Sequence, residues 1–134
     1  MVREINRDIL KAKNGIICQQ VNCQGKMGKG LALAIEEKWP IVKEKYLKVF
    51  KVLKPEQLLG RVQVVEVDKC KHLFVANLFS QFDYGNNPKT VYTNYMALCS
   101  AFLKLGIKYP NEQIYIPYKI GCGLAHGDWV KVEK

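Results

Sequence analysis

A glycine-rich turn between an apolar run and a helical pattern is the feature that most constrains this chain. Residues 15–21 (G-I-I-C-Q-Q-V) have the apolar, partly β-branched composition of a buried strand. The turn N-C-Q-G-K-M-G-K-G follows at residues 22–30, and apolar residues then recur at helical spacing over residues 31–39. At such a strand–loop–helix junction, backbone N–H groups and the helix dipole converge on an anion. The junction therefore predicts a site for a phosphorylated ligand.

The order of predicted elements indicates an α/β fold with a mixed sheet. Near the start of the chain, Asp8 is expected to cap a single helical turn that begins at Ile9. The predicted strands cover residues 2–5, 15–21, 62–67, 72–76 and 114–116. The predicted helices cover residues 31–39, 41–52 and 92–106, with a last helix opening at residues 127–129, and residues 77–89 are expected to form a loop. Ligands of such sheets bind beyond the carboxyl ends of the strands, where both glycine-rich turns of this chain lie.

Length and composition predict a single domain, residues 1–134, of a cytoplasmic protein. The five cysteines form no C-x-x-C pair, which is typical of reduced, mostly buried thiols. No apolar run approaches membrane-spanning length and the N-terminus M-V-R-E is not a signal peptide, so no membrane partner is expected. With two histidines far apart, the sequence offers no metal site, and no cofactor is predicted.

The net charge of +9 favours polyanionic partners in general. The lysines, however, are spread along the predicted helices, which favours solvated faces over a nucleic-acid groove. No zinc-finger spacing and no aromatic RNA-binding motif occurs. A basic nucleic-acid binder therefore stays only as a third function class.

The first glycine-rich turn is not a Walker A loop. A motif starting at Gly25 places its second glycine correctly at Gly30, but Leu31 and Ala32 then stand where lysine and serine or threonine are needed. A dinucleotide-binding fingerprint also fails at both glycine-rich turns, because its last small residue is missing. A looser anion-binding loop is what the sequence supports.

A second glycine-rich turn, G-C-G-L at residues 121–124, follows the strand predicted at residues 114–116. Together with the first turn and the segment A-N-L-F-S-Q at residues 76–81, it resembles the macrodomain family. The resemblance is closest to the ADP-ribose-1''-phosphate-phosphatase-like branch, of the phage and yeast type. It implies a three-layer α/β/α domain with a mixed central sheet, apparently lacking the family's last helix and strand. An uncovered sheet edge would then favour oligomers.

The resemblance also implies a site for ADP-ribose. By position, Asp8 would accept the adenine amino group beside Ile9, Asn22 and the first loop would hold the distal ribose, and the second loop would wrap the diphosphate. Glycines in both loops would let backbone amides approach the phosphate oxygens. The implied ligand-binding residues are Asp8, Ile9, Asn22, Gly25, Lys26, Met27, Gly28, Gly30, Gly121, Cys122, Gly123 and Leu124.

Hydrolysis at this site requires a positioned water, a base and stabilisation of developing charge. Asn22, His126 and Asp128 are the candidate catalytic residues. Each has a plainer alternative: Asp128 also suits a helix N-cap, and an asparagine at a strand end often ties down its own loop.

In the glycohydrolase branch of the family a lysine works with an aspartate. Here Asn77 and Leu78 stand near the place of that lysine, and Ala125 occupies the place of the aspartate. A lysyl covalent mechanism is therefore not expected, and these departures favour phosphatase-like chemistry or no catalysis at all. The resemblance itself implies an enzyme that hydrolyses ADP-ribose-1''-phosphate, or that removes ADP-ribose from a modified macromolecule. The alternative is a non-catalytic reader of ADP-ribose.

Overall fold

A four-stranded mixed sheet forms the centre of the fold in the computed structural model, which describes residues 8–28, 30–83, 94–117 and 120. The strand order is β2-β3-β1-β4. The strands are β1 (Gly15–Asn22), β2 (Val62–Asp68), β3 (Leu73–Gln81) and β4 (Ile114–Tyr115). Strand β1 is parallel to both of its neighbours, β3 and β4, whereas β2 is antiparallel to β3. The predicted mixed sheet and its hairpin are confirmed.

Helices cover both faces of this sheet. They are α1 (Gly30–Lys38), α2 (Ile41–Val49), α3 (Pro55–Leu58) and α4 (Tyr95–Lys108), and a 3-10 turn (Ile9–Lys11) precedes β1. Helix α4 packs Leu98 and Leu105 into a buried cluster with Ile16 of β1. On the opposite face, Ile35 of α1 and Val42 of α2 are buried against Ile17. The predicted three-layer α/β/α arrangement is therefore present.

Strand β1 is central, and its sequence shows why. Alternate residues face the two helical layers, so Ile16 and Cys18 contact one layer while Ile17 and Val21 belong to clusters on the other. A strand covered on both faces by helices carries a nearly continuous apolar run rather than an alternating pattern. The run at residues 15–21 was recognisable for this reason.

Strand β3 corrects the prediction of a loop from residue 77 onward. The strand continues to Gln81, and Asn77 and Ser80 are completely buried within it. Polar residues made this segment resemble a loop. The structure accommodates Asn77 because side chains on both neighbouring strands hydrogen-bond to it.

Helix boundaries also differ from the predictions. Helix α4 continues through Gly106 to Lys108, so that glycine is not the end of the helix. Helix α2 ends at Val49, three residues before its predicted end at Val52, and is capped there by the backbone of Phe50. The connection after α2 contains the short helix α3, which the sequence did not predict.

Buried and exposed thiols are both present. Cys18 and Cys23 are buried, whereas Cys70 and Cys99 are exposed, and all four are free thiols. The prediction of mostly buried thiols therefore holds only for the first two. Within the described residues, no helix is both long and apolar enough to cross a membrane.

Several predictions fall on residues that the structure does not describe. They are the strand at residues 2–5, the second glycine-rich turn, Cys122 and the last helix from residue 127. The single-domain assignment of residues 1–134 also stays a prediction.

Candidate functional site

The first glycine-rich turn lies at the carboxyl end of β1, as the sequence predicts. A register shift lies between Val21 and Asn22, and Asn22, paired with Gln81, is the last residue of β1 that pairs with β3. Backbone N–H of Cys23 then donates to the carbonyl oxygens of Gln81 (2.9 Å) and Phe82 (3.2 Å). The Nε2 of Gln24 also donates to Phe82 O, at 3.0 Å. The turn is thereby attached to the end of the neighbouring strand.

Asn22 organises the turn through its side chain. Its Oδ1 accepts hydrogen bonds from Gln24 N (3.0 Å), Lys26 N (3.2 Å) and Tyr46 Oη (2.9 Å). Its Nδ2 donates to Lys26 O at 2.5 Å. Asn22 is 7% exposed, so these bonds are largely shielded from water. The loop-tying role that the sequence left open for Asn22 is thus visible in the structure.

These contacts limit what Asn22 offers to a ligand. An amide oxygen has two lone pairs, and three donors already share the Oδ1 of Asn22. The Nδ2 group has two N–H donors, and only one of them has a partner among the described residues. Asn22 is therefore equipped to donate one hydrogen bond to a ligand oxygen, and it is not a proton acceptor.

The turn requires glycine for its backbone conformation. Gly25 has φ +76°, a left-handed conformation that other residues adopt at a cost. The ring of Phe50 supports this position, 3.7 Å from where a Cβ of residue 25 would lie. The turn leads directly into α1 at Gly30, so the predicted strand–loop–helix junction is present.

The other turn residues differ in exposure. Met27 is half-buried and packs against the cluster of Val21, Cys23 and Tyr46 beneath the turn. Lys26 is exposed, and Gly28 lies near the Oε2 of Glu36, with 3.9 Å between that atom and an added Cβ. Met27 therefore supports the turn from below, whereas Lys26 is accessible to an anionic ligand.

No described residue of the first turn is a suitable base at neutral pH. Burial raises the pKa of Cys23 to about 11, which keeps its thiol protonated. Any general base for hydrolysis would have to come from elsewhere in the chain.

Asp8 caps the 3-10 turn before β1, and Ile9 is the first residue of that turn. Oδ1 of Asp8 accepts a hydrogen bond from Leu10 N at 3.0 Å, which confirms the predicted cap. Ile9 is half-buried and packs against the same core cluster as Leu31, the residue that follows the first glycine-rich turn. Among the described residues no hydrogen bond joins Asp8 to Asn22, so their common site stays a prediction.

The remaining predicted site residues lie outside the described part of the chain. They are Gly121, Cys122, Gly123, Leu124, His126 and Asp128. The described residues also contain no group of three histidine, cysteine, aspartate or glutamate side chains that could hold a metal ion.

Tyr46 of α2 is a residue of the site that the sequence did not single out. Tyr46 is fully buried, and burial raises the pKa of its hydroxyl group further above neutrality. The hydroxyl donates to Asn22 O and Oδ1. The hydroxyl of a buried tyrosine usually has a hydrogen-bond partner. From this rule the sequence could have indicated that Tyr46 makes a buried polar contact, but it could not have identified Asn22 as the partner.

No family model matches the sequence, and no curated protein matches it. Solved structures do. The fold matches a macrodomain protein from Streptomyces coelicolor with a TM-score of 0.70 at 25% identity, covering 91% of this chain and 77% of that chain. The chain therefore has the macrodomain fold.

Two further solved structures are similar to this chain. A protein of unknown function from Bacteroides thetaiotaomicron is 30% identical, with a TM-score of 0.82 over 96% of this chain and 83% of that chain. The DarTG protein of Thermosipho africanus, solved in complex with ADP-ribose, is 18% identical, with a TM-score of 0.73 over 93% of this chain and 34% of that chain. At this identity the second likeness concerns the fold alone.

Proposed function

We propose that this chain binds ADP-ribose at the carboxyl edge of its sheet, with the first glycine-rich turn holding the distal ribose. The observation that carries the proposal is the set of hydrogen bonds by which the protein's own groups shape this turn around Asn22. A loop already held in one conformation loses little entropy on binding. The likeness to the T. africanus protein that holds ADP-ribose supports the choice of ligand.

Each part of the ligand has a suitable group in this proposal. The uncommitted N–H of Asn22 donates to a ribose hydroxyl oxygen, and the exposed Lys26 attracts the phosphates. The exposed carboxylate of Asp8 accepts from the adenine amino group, with the apolar Ile9 beside the ring. Residues 121–124 wrap the diphosphate through backbone N–H groups.

We also propose that the bound ligand is hydrolysed, either as ADP-ribose-1''-phosphate or as ADP-ribose attached to a macromolecule. In ADP-ribose-1''-phosphate, water attacks the phosphorus atom, the P–O bond to the ribose breaks, and ADP-ribose departs with a proton on its leaving oxygen. In an attached ADP-ribose, water attacks C1'', the bond to the macromolecule breaks, and the macromolecule departs with a proton on its leaving atom. Asn22 positions the substrate, while His126 or Asp128 takes the proton from the water. The first turn offers no base, since Cys23 is held protonated there, and His126 and Asp128 are the candidates that the sequence provides elsewhere.

A non-catalytic reader of ADP-ribose is the second candidate. The lack of a suitable base among the described residues of the first turn, where Cys23 is held protonated, favours it. Both candidates share the premise of ADP-ribose binding, so binding is the first property to measure.

Calorimetry with ADP-ribose tests the shared premise, using Asn22→Asp as the informative variant. Aspartate keeps the oxygen that accepts from Gln24 and Lys26 but lacks the N–H donors of Nδ2. We expect the wild type to bind and the variant to bind at least about tenfold more weakly, which is about 1.4 kcal/mol. Asn14→Asp, the same change at an exposed position, is the matched control. Absence of wild-type binding at millimolar ligand would overturn the proposal.

Phosphate release from ADP-ribose-1''-phosphate, and ADP-ribose release from a modified macromolecule, separate the enzyme from the reader. The assays compare the wild type with Asp128→Ala and His126→Ala. Turnover that falls in one of these variants while ADP-ribose affinity is kept identifies the base. Binding without turnover of either substrate favours the reader. Affinity for nucleic acid that falls steeply with salt, without any effect of ADP-ribose, would favour the third class instead.

A further inference from the structure

Tyr46 makes its principal polar contacts with the candidate site although it lies on helix α2. Its side chain is fully buried, and its hydroxyl lies 2.8 Å from Asn22 O and 2.9 Å from Asn22 Oδ1. The ring itself packs edge-on against Phe50, with centroids 5.2 Å apart, and stacks on Phe79 at 5.9 Å. A phenylalanine would make the same ring contacts. The hydroxyl therefore contributes something other than packing.

What the hydroxyl contributes is a link between a helix and both oxygens of one residue. Its single proton is shared between the main-chain and side-chain oxygens of Asn22. The backbone N–H groups of Gln24 and Lys26 hold Oδ1 from the loop side, and Tyr46 holds it from the core side. Donors from both sides fix the plane of the amide, and hence the direction of its Nδ2 group.

We infer that Tyr46 is a positioning residue for the candidate site: by holding both oxygens of Asn22, it directs the uncommitted Nδ2 N–H of Asn22 toward the ligand. The inference rests on the proposed binding of ADP-ribose. Tyr46 lies outside the loop, and its role concerns only the ligand group that Asn22 contacts in the proposal, the distal ribose. Recognition of the adenine and of the two phosphates does not depend on this hydroxyl.

A comparison of two ligands distinguishes a positioning role of Tyr46 from a role in supporting the fold. ADP carries the adenosine and both phosphates but lacks the distal ribose. Loss of the Tyr46 hydroxyl should therefore weaken the binding of ADP-ribose and leave that of ADP unchanged. A loop that merely collapsed without the hydroxyl would lose both ligands.

The test is Tyr46→Phe, measured by calorimetry with ADP-ribose and with ADP. We expect ADP-ribose to bind about five- to tenfold more weakly, as for one misdirected hydrogen bond, and ADP to bind as in the wild type. Tyr109→Phe, which removes a hydroxyl at the half-buried end of α4, is the matched control and should change neither affinity. Melting curves of both variants verify that they fold.

A second measurement needs no ligand. In ¹H–¹⁵N spectra the side-chain amide of Asn22 is assigned from the signal that disappears in Asn22→Asp. We expect its Nδ2 protons to exchange faster with water, and its shift to change, in Tyr46→Phe but not in Tyr109→Phe. An unchanged amide signal would overturn the inference even if affinities differ.

The outcomes distinguish the two proposals. If the wild type fails to bind ADP-ribose, the proposed function falls, and the amide signal alone decides whether Tyr46 holds Asn22. If the wild type binds and Tyr46→Phe binds ADP-ribose equally well, the positioning role is refuted while the function stands. An equal loss of both ligands assigns Tyr46 a purely structural role, and that outcome also refutes the inference.

Discussion

Asn77 connects three strands beneath helix α2, and its replacement by alanine provides a stringent test of the fold. Its Oδ1 accepts from Gln19 Nε2 at 2.7 Å, and its Nδ2 donates to Gln63 Oε1 at 2.9 Å. Gln63 in turn donates to the carbonyl oxygen of Lys45 in α2, at 2.9 Å. Asn77 is in register with both Gln19 and Gln63, so the three amides form a ladder across β1, β3 and β2.

The expected cost follows from the burial of each partner. Asn77→Ala leaves the Nε2 of Gln19 without a partner at a residue that is 1% exposed, a loss of about 1–3 kcal/mol. Gln63 is half-buried, so water can replace its lost bond at a cost of at most about 0.5–1 kcal/mol. Together the loss in the free energy of unfolding is about 1.5–4 kcal/mol.

Urea unfolding measures this loss, and a second substitution verifies its cause. Gln19→Met removes the stranded donor at nearly constant volume, so the double variant Asn77→Ala, Gln19→Met should recover at least half of what Asn77→Ala loses. Asn14→Ala, at an exposed turn, is the control and should cost less than about 0.5 kcal/mol. A loss below about 0.5 kcal/mol for Asn77→Ala, or no recovery in the double variant, would refute the reasoning.

Three further predictions concern the core. Gly15→Ala should lower the free energy of unfolding by more than about 1–2 kcal/mol, because residue 15 has φ +97° and an added Cβ would lie 2.4 Å from Gln113 O; an unchanged melting temperature contradicts this. Burial raises the pKa of Cys18 from 9.0 to about 12, so the unfolded chain loses this proton first and stability falls as pH rises above 9. The fall measured between pH 9 and pH 11 should be shallower in Cys18→Ala, and equal slopes would contradict it. A thiol reagent at pH 8 should modify the exposed Cys70 quickly and the buried Cys23 only on unfolding; equal rates in the native state would count against the burial of Cys23.

Much of the fold was accessible from the sequence because its signals are local. The continuous apolar run of β1 and the helical spacing after Gly30 each depend on neighbours in the chain. The strand–loop–helix junction, and with it the place of the candidate site, followed from these patterns alone. The exception within the sheet was β3, whose polar residues at 77 and 80 conceal a completely buried strand.

The chemistry of the site was less accessible, because the partners that define it are distant in sequence. Asn22 was recognisable as a strand-end amide, but its orientation depends on Tyr46, 24 residues away. Gln19 and Asn77 are separated by 58 residues, and neither is recognisable as buried without the other. Hydrogen bonds between residues so far apart produce no pattern that can be recognised in a single sequence.

The sequence by itself determined where backbone N–H groups and a helix N-terminus meet, because glycine placement and apolar periodicity dictate local conformation. Only the tertiary structure decided that the Oδ1 of Asn22 is fully engaged and that one N–H of its Nδ2 group has no partner among the described residues. The physical reason is that an amide can donate or accept equally well. Its role is set by the donors that folding brings around it.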